Sequence, residues 1–244
     1  MPGGDIPNFV TLLAEHVKSA RISQYLYGWE NTIFSVIAIV VISVIAYLAY
    51  RKINLIPSRL QGAIELLVSG VDDFVCGIIG PKGRQYTPFI GTLFVYILFM
   101  NLFGLVPFMK SSTASWSITL ALGIIVFFYV LYAGIKELGI LGFIDHLMGN
   151  PRGIMAFSVI MPLMMLFLHL VSYLVRPISL SLRLRSTIWG DDMLLSLVAG
   201  FGIKGMPLLL FNSVLAILAS VVQATVFCLL TTIYFALVLA HEEV

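Results

Sequence analysis

The chain has 244 residues, 60% of them hydrophobic and only 11% charged, and a mean hydropathy of +1.04. That charged fraction is under half of the usual ~25% and cannot cover a water-facing surface, which excludes a soluble globular protein. A net charge of +2 and 14 scattered Lys and Arg make no nucleic-acid-binding surface, and Cys76 and Cys228 have neither metal-ligand spacing nor a disulfide framework around them.

The N-terminal segment 1–30 carries charge throughout and has no basic start leading into an apolar run, so it does not read as a cleavable signal peptide. An apolar run of roughly 20 residues is what a helix needs to cross about 30 Å of hydrocarbon. The first such span is 31–50, closed by Arg51 and Lys52. Over 55–79, Ile56, Leu60, Ile64, Leu67, Val71, Phe74 and Ile78 recur every three or four residues, with Arg59, Gln61, Glu65 and Asp72 on the other face. This predicts an amphipathic helix lying in the membrane interface, capped by Ser58 with Gln61 and ended by Gly80-Pro81. Spans follow at 87–109 and 114–135, closed by Lys110 and by Lys136-Glu137, then a long region 154–201 and a last apolar stretch 207–240.

Basic residues favour the cytoplasmic side in short loops, and the loop 51–84 holds Arg51, Lys52, Arg59, Lys82 and Arg84 against Lys18 and Arg21 before it. The N-terminus is therefore expected outside. The region 153–201 is about 73 Å as one helix, far more than one perpendicular crossing, so it is either two spans or one long, steeply tilted helix.

Inside that region stand Arg176, Arg183, Arg185, Asp191 and Asp192, with His169 upstream. Ionisable groups at membrane depth cost at least ~2.5 to 3.5 kcal/mol each on insertion scales and persist where they face a wet cavity, a partner charge or an ion path. Arginines snorkelling from a loop between two ordinary spans are the alternative. In a helix, Arg183 and Asp192 point to nearly opposite sides about 13 Å apart along the axis, and the remaining spans contain no Asp or Glu. Arg183 thus has no carboxylate partner within its own spans, and its counter-charge is expected on another polypeptide. Ion-transfer machinery and a structural pair between subunits both fit.

The stretch Arg176-Pro177-Ile178-Ser179-Leu180-Ser181-Leu182-Arg183-Leu184 resembles the signature of subunit a of rotary F-type ATP synthases. Asn101-Leu102-Phe103-Gly104-Leu105-Val106-Pro107 resembles that family's second-span motif, Gly134-Ile135-Lys136 its third-span exit, and Gln223-Ala224 with His241-Glu242-Glu243 its last helix. The four motifs run in family order from about Asn31 to the end. The resemblance implies an all-α integral membrane protein with five membrane-crossing helices plus the cytoplasmic-side amphipathic helix, the last two helices long and steeply tilted as a hairpin. It implies a proton-translocating stator subunit, itself without nucleotide chemistry, held against a ring of c subunits with two aqueous half-channels. Peripheral-stalk b subunits, the remaining synthase subunits and membrane lipid are its implied partners, and a bacterial inner membrane, with the C-terminus cytoplasmic, its implied location. No cofactor or metal is implied.

By the same resemblance Arg183 matches the family's essential arginine, Gln223 the glutamine facing it from the last helix, and Asn101 the polar position of the second span. Asp192 and His169 occupy positions that line the half-channel open to the outside; Arg176, Arg185 and Asp191 are secondary. For Asn101 and Gln223 an interhelical amide hydrogen bond is the plainer alternative, and for His169 a satisfied buried histidine. The chain departs from its relatives in two places. Arg185-Ser186-Thr187 follows Arg183-Leu184 where Phe-Gly-Asn is common, and Ala216 stands seven residues before Gln223 where many carry His or Glu. The acid-base pairing of the outer half-channel is therefore not preserved residue for residue, leaving Asp192 to work with His169 or with water. A secondary transporter would need paired broken helices, which the sequence lacks; a structural membrane subunit of a respiratory complex is the other rival. Whether the ion is H⁺ or Na⁺ rests on the ring's carboxylate and is not written in this chain.

Overall fold

Apolar runs of this length become helices because hydrocarbon offers the backbone no other hydrogen-bonding partner. The computed structural model describes residues 20–51, 59–106, 111, 113, 115–147 and 157–239. Among them are six α-helices: α1 (Ala20–Tyr50), α2 (Arg59–Ile79), α3 (Thr87–Phe103), α4 (Trp116–Leu147), α5 (Phe157–Ala199) and α6 (Met206–Leu239). Short 3-10 turns at Pro81–Gln85 and Gly202–Gly205 precede α3 and α6. The stretches Asn31–Leu48, Trp116–Glu137 and Met206–Leu239 are long and apolar enough to cross a membrane, while α3 is apolar but has only 17 residues.

Several boundaries differ from the expectations. The first helix begins at Ala20 rather than 31, because hydropathy marks the part that suits lipid and charge alone does not stop a helix. The second span ends at Phe103 rather than 109, just before Gly104. The fourth helix runs past Lys136-Glu137 to Leu147, bending at Gly139, whose φ is 71°. The region left open as two spans or one is a single helix of 43 residues, about 64 Å long. Ser58, Pro107, Lys110 and the terminal His241-Glu242-Glu243 lie outside the described residues.

The core is built where α3, α4, α5 and α6 meet. Ile90 and Ile97 of α3, Val126 of α4, Leu180 and Leu184 of α5 and Phe227 and Phe235 of α6 are fully buried there. Stacking of Tyr86 on Phe235 (4.8 Å between centroids) and of Phe89 on Tyr129 (4.0 Å) ties α3, α4 and α6 together at one end. Helix α4 lies close on α5 at Gly123, where an added Cβ would stand 2.7 Å from the Pro177 carbonyl oxygen, so only a hydrogen fits. Helix α1 joins through a hydrogen bond of 2.6 Å between the Ser35 and Tyr96 hydroxyls.

At the end marked by the basic loop, the Asp72 carboxylate of α2 accepts hydrogen bonds from the Thr87 hydroxyl (2.8 Å) and from Arg84 Nε (3.2 Å), and Gln85 Nε2 donates to Glu137 Oε1 at 3.0 Å. The Thr87 hydroxyl and then the Arg84 charge hold the Asp72 carboxyl below the usual carboxylate range.

The opposite character marks the outer faces. Val36, Val40, Val44 and Leu48 of α1, and Leu210, Val214, Leu218 and Val222 of α6, are exposed. Contiguous apolar faces of this extent suit lipid or a partner rather than water.

Candidate functional site: a polar cavity between the last two long helices

The site starts from one interhelical contact. Thr187 Oγ1 on α5 shares its proton between the Arg183 carbonyl, one turn back at 2.8 Å, and Gln223 Oε1 of α6 at 3.2 Å. This fixes the register of the antiparallel pair. With 100° per residue, Asp191 lies about 40° from Thr187 and faces α6, whereas Asp192 is turned about 140° away. Accordingly Asp191 is half-buried and Asp192 exposed at the rim.

Beside the contact lies a small cavity, partly open to the surroundings, bounded by Asn101, Asp191, Asp192, Asn212, Ala216 and Gln223. Ser111, Thr187 and Ser220 also line it. Asn101 is buried and its Oδ1 accepts a hydrogen bond from the Thr113 hydroxyl at 3.1 Å, which is itself 2.6 Å from the Ser111 hydroxyl. Two amide donors in the wall have no partner among the described residues: Asn212 Nδ2 and Gln223 Nε2, on residues only 8% and 6% exposed. A buried donor left unpaired costs about 1 to 3 kcal/mol, and a polar cavity is where water removes that cost. The arrangement can seat about two waters among two carboxylates and three amides.

Arg183 stands one turn from Thr187 on the exposed side of α5, and no carboxylate among the described residues pairs with it. Its nearest neighbours on that surface, about one turn to either side, are Ser179 and Ser186, both exposed, with exposed Leu182 flanking them. The other two arginines each meet an aromatic ring. Arg176 lies over the Tyr234 ring at 4.8 Å, and Arg185 over the Trp116 ring of α4 at 4.8 Å. Arg183 and Arg185 thus take different sides of the helix, as 200° of rotation requires.

The structure therefore brings Asn101, Gln223, Asp191 and Asp192 around one cavity, with Arg183 one turn from Thr187 on the exposed side of α5. It does not bring His169 there. Because α5 is continuous, His169 is 23 residues and about 35 Å from Asp192 along the axis, the thickness of a bilayer core, and its Nδ1 lies 2.9 Å from the Met165 carbonyl of its own helix. His169 therefore does not line the cavity that Asp192 lines. Among the described residues no three His, Cys, Asp or Glu stand together as a metal site.

Sequence reasoning missed Asn212, Thr187 and Ser220. The available signal was spacing: Asn212 and Gln223 are 11 residues apart, only about 20° around a helix, so two amides in an apolar run share one face.

Residues 32–236 match the family described as ATP synthase A chain. The chain belongs to that family. Among its relatives, the ATP synthase subunit a of Protochlamydia amoebophila is 39% identical over 98% of this chain and 90% of its own length. That of Solidesulfovibrio magneticus is 35% identical over 98% of this chain and 99% of its own, and that of a Sulfurihydrogenibium species 33% identical over 88% and 99%. In this ATP synthase A chain, Ala216 leaves the middle of the cavity wall on α6 without an ionisable side chain. Its polar lining comes instead from Asp191 across the cavity and Asn212 one turn away.

Proposed function

We propose that the chain is the proton-translocating stator subunit of the membrane sector of an F-type ATP synthase. In this reading it crosses the membrane five times, with α2 in the cytoplasmic-side interface and α5 and α6 tilted against a ring of c subunits. The N-terminus faces outside, the C-terminus the cytoplasm of a bacterial inner membrane, and b subunits of the peripheral stalk flank it. The single observation that carries the reading is an exposed, permanently charged Arg183 with no carboxylate partner among the described residues, one turn from Thr187 in the wall of a cavity lined by amides and carboxylates.

The chemistry is a carboxyl pKa that depends on position. Burial against lipid raises the pKa of a ring carboxyl by up to about 3 to 5, and a guanidinium within ~4 to 6 Å lowers it by about 1 to 3. A ring carboxyl reaching Arg183 gives up its proton; one leaving it takes a new proton from the cavity and turns into lipid neutral. Arginine suits the boundary because its pKa above 12 prevents it from relaying the proton itself. The cavity of Asp191, Asp192, Asn101 and Gln223 is the path from outside, and Gln223, held by Thr187, keeps the inner end beside Arg183. His169, about 35 Å from Asp192 along the tilted helix, lies outside that path. The drive is about 2.3 kcal/mol per charge per 100 mV of membrane potential, plus the pH gradient.

Purification in mild detergent tests this against the rivals. A c-ring and a nucleotide-hydrolysing head should accompany the chain, and vesicles holding the chain alone should show no transport. Solute transport by the isolated chain would instead make it a transporter.

A further inference from the structure

The cavity has a second unpaired amide besides Gln223, and no role has so far been given to it. Asn212 sits on α6 three turns from Gln223, on the same face, about 16 Å nearer the α5–α6 turn. Its side chain is more than nine-tenths buried, lines the cavity, and aims an Nδ2 donor that meets no acceptor among the described residues. Between the two amides the wall is small: Ala216 and Ala219 leave room, and the Ser220 hydroxyl is turned back onto the Ala216 carbonyl at 2.7 Å. Facing that gap from α5 is Asp191.

We propose that Asn212 holds the outermost water of the proton path, at the mouth of the cavity, and delivers it to Asp191 across the space left by Ala216. An amide suits this place because it donates and accepts at once, so it can orient a water without trapping a proton. Asp191 then takes the proton at mid-cavity, and Gln223 orients the last water beside Arg183. The polar function absent at Ala216 is in this way divided between a carboxylate on α5 and an amide one turn further along α6. The inference rests on the stator reading above.

The test is proton-driven ATP synthesis by the whole complex in vesicles. Asn212→Leu, with the same heavy-atom count and branching but without donor or acceptor, should lower the rate roughly fivefold, the size of one lost hydrogen bond, with the c-ring still co-purifying. Asn212→Ser should stay within about twofold of wild type. In a Cys76→Ser, Cys228→Ala background, Asn212→Cys should react with a small charged methanethiosulfonate added from the outer side, and the reaction should stop synthesis. Wild-type synthesis by Asn212→Leu, or an inert cysteine in the assembled complex, overturns the proposal; should Asn212→Leu fail to assemble, the cysteine decides. If Arg183→Ala also keeps synthesis, the stator reading itself falls, whereas a dead Arg183→Ala beside a normal Asn212→Leu contradicts only the role of Asn212.

Discussion

At the scale of single residues, three arginines on one helix have three different surroundings, and this separates their roles. Arg176 and Arg185 each lie over an aromatic ring of another helix, while Arg183 is exposed between Ser179 and Ser186. A guanidinium over an indole is worth about 0.5 to 2 kcal/mol depending on desolvation. Arg185→Gln should therefore lower the midpoint of thermal or detergent unfolding by an amount in that range while leaving most ATP synthesis intact. An equal fall in both Arg185→Gln and Trp116→Leu, with no further fall in the double variant, would identify the ring contact as the cause. The rotation of 200° between Arg183 and Arg185 was legible from sequence alone; that the ring beside Arg185 is Trp116, 69 positions away, was not, because nothing local encodes which helices meet.

At the scale of elements, the close approach of α4 to α5 depends on Gly123. Its missing Cβ would be 2.7 Å from a backbone oxygen, which cannot rotate away as a side chain can. Gly123→Ala should push α5 outward at Pro177 and destabilise the subunit by about 1 to 3 kcal/mol, read as a lower unfolding midpoint. Gly70→Ala, in α2 with nothing within 4 Å of the added atom, should instead be neutral or stabilise by up to about 1 kcal/mol. The helices themselves were readable as apolar runs with basic ends, and Gly80-Pro81 ended α2 where expected. Two things were not readable. Length arithmetic could not choose between two spans and one helix over 157–199, and without that choice the 35 Å between His169 and Asp192 had no meaning. Asn212 was overlooked because a lone amide among leucines carries no charge to draw notice, and only its shared face with Gln223 and the cavity between helices give it significance.

On the scale of the whole molecule, the two ends differ in chemistry. One holds the Asp72, Arg84 and Thr87 cluster beside the aromatic stack; the cavity of amides and carboxylates lies toward the other. Since the Asp72 carboxyl is held below its ordinary value, its contribution to stability is fully present above the unfolded value near 4 and is lost as pH falls through the lower folded value. Hydrogen exchange in residues 80–87 should be unchanged from pH 8 to pH 5, after allowing for the intrinsic rate, and should accelerate below about pH 4. Asp72→Asn should show the faster exchange already at neutral pH.

The central claim is that Arg183 alone separates the two proton paths and empties the ring carboxyl. The measurement that reaches it most directly is proton-driven ATP synthesis by energised vesicles carrying Arg183→Ala, with assembly verified by recovery of the c-ring. The account predicts no synthesis from Arg183→Ala, together with a passive proton leak through the membrane sector, while Arg185→Gln in parallel vesicles retains most of its rate. Appreciable synthesis by Arg183→Ala, with Arg176 and Arg185 unchanged, would contradict it.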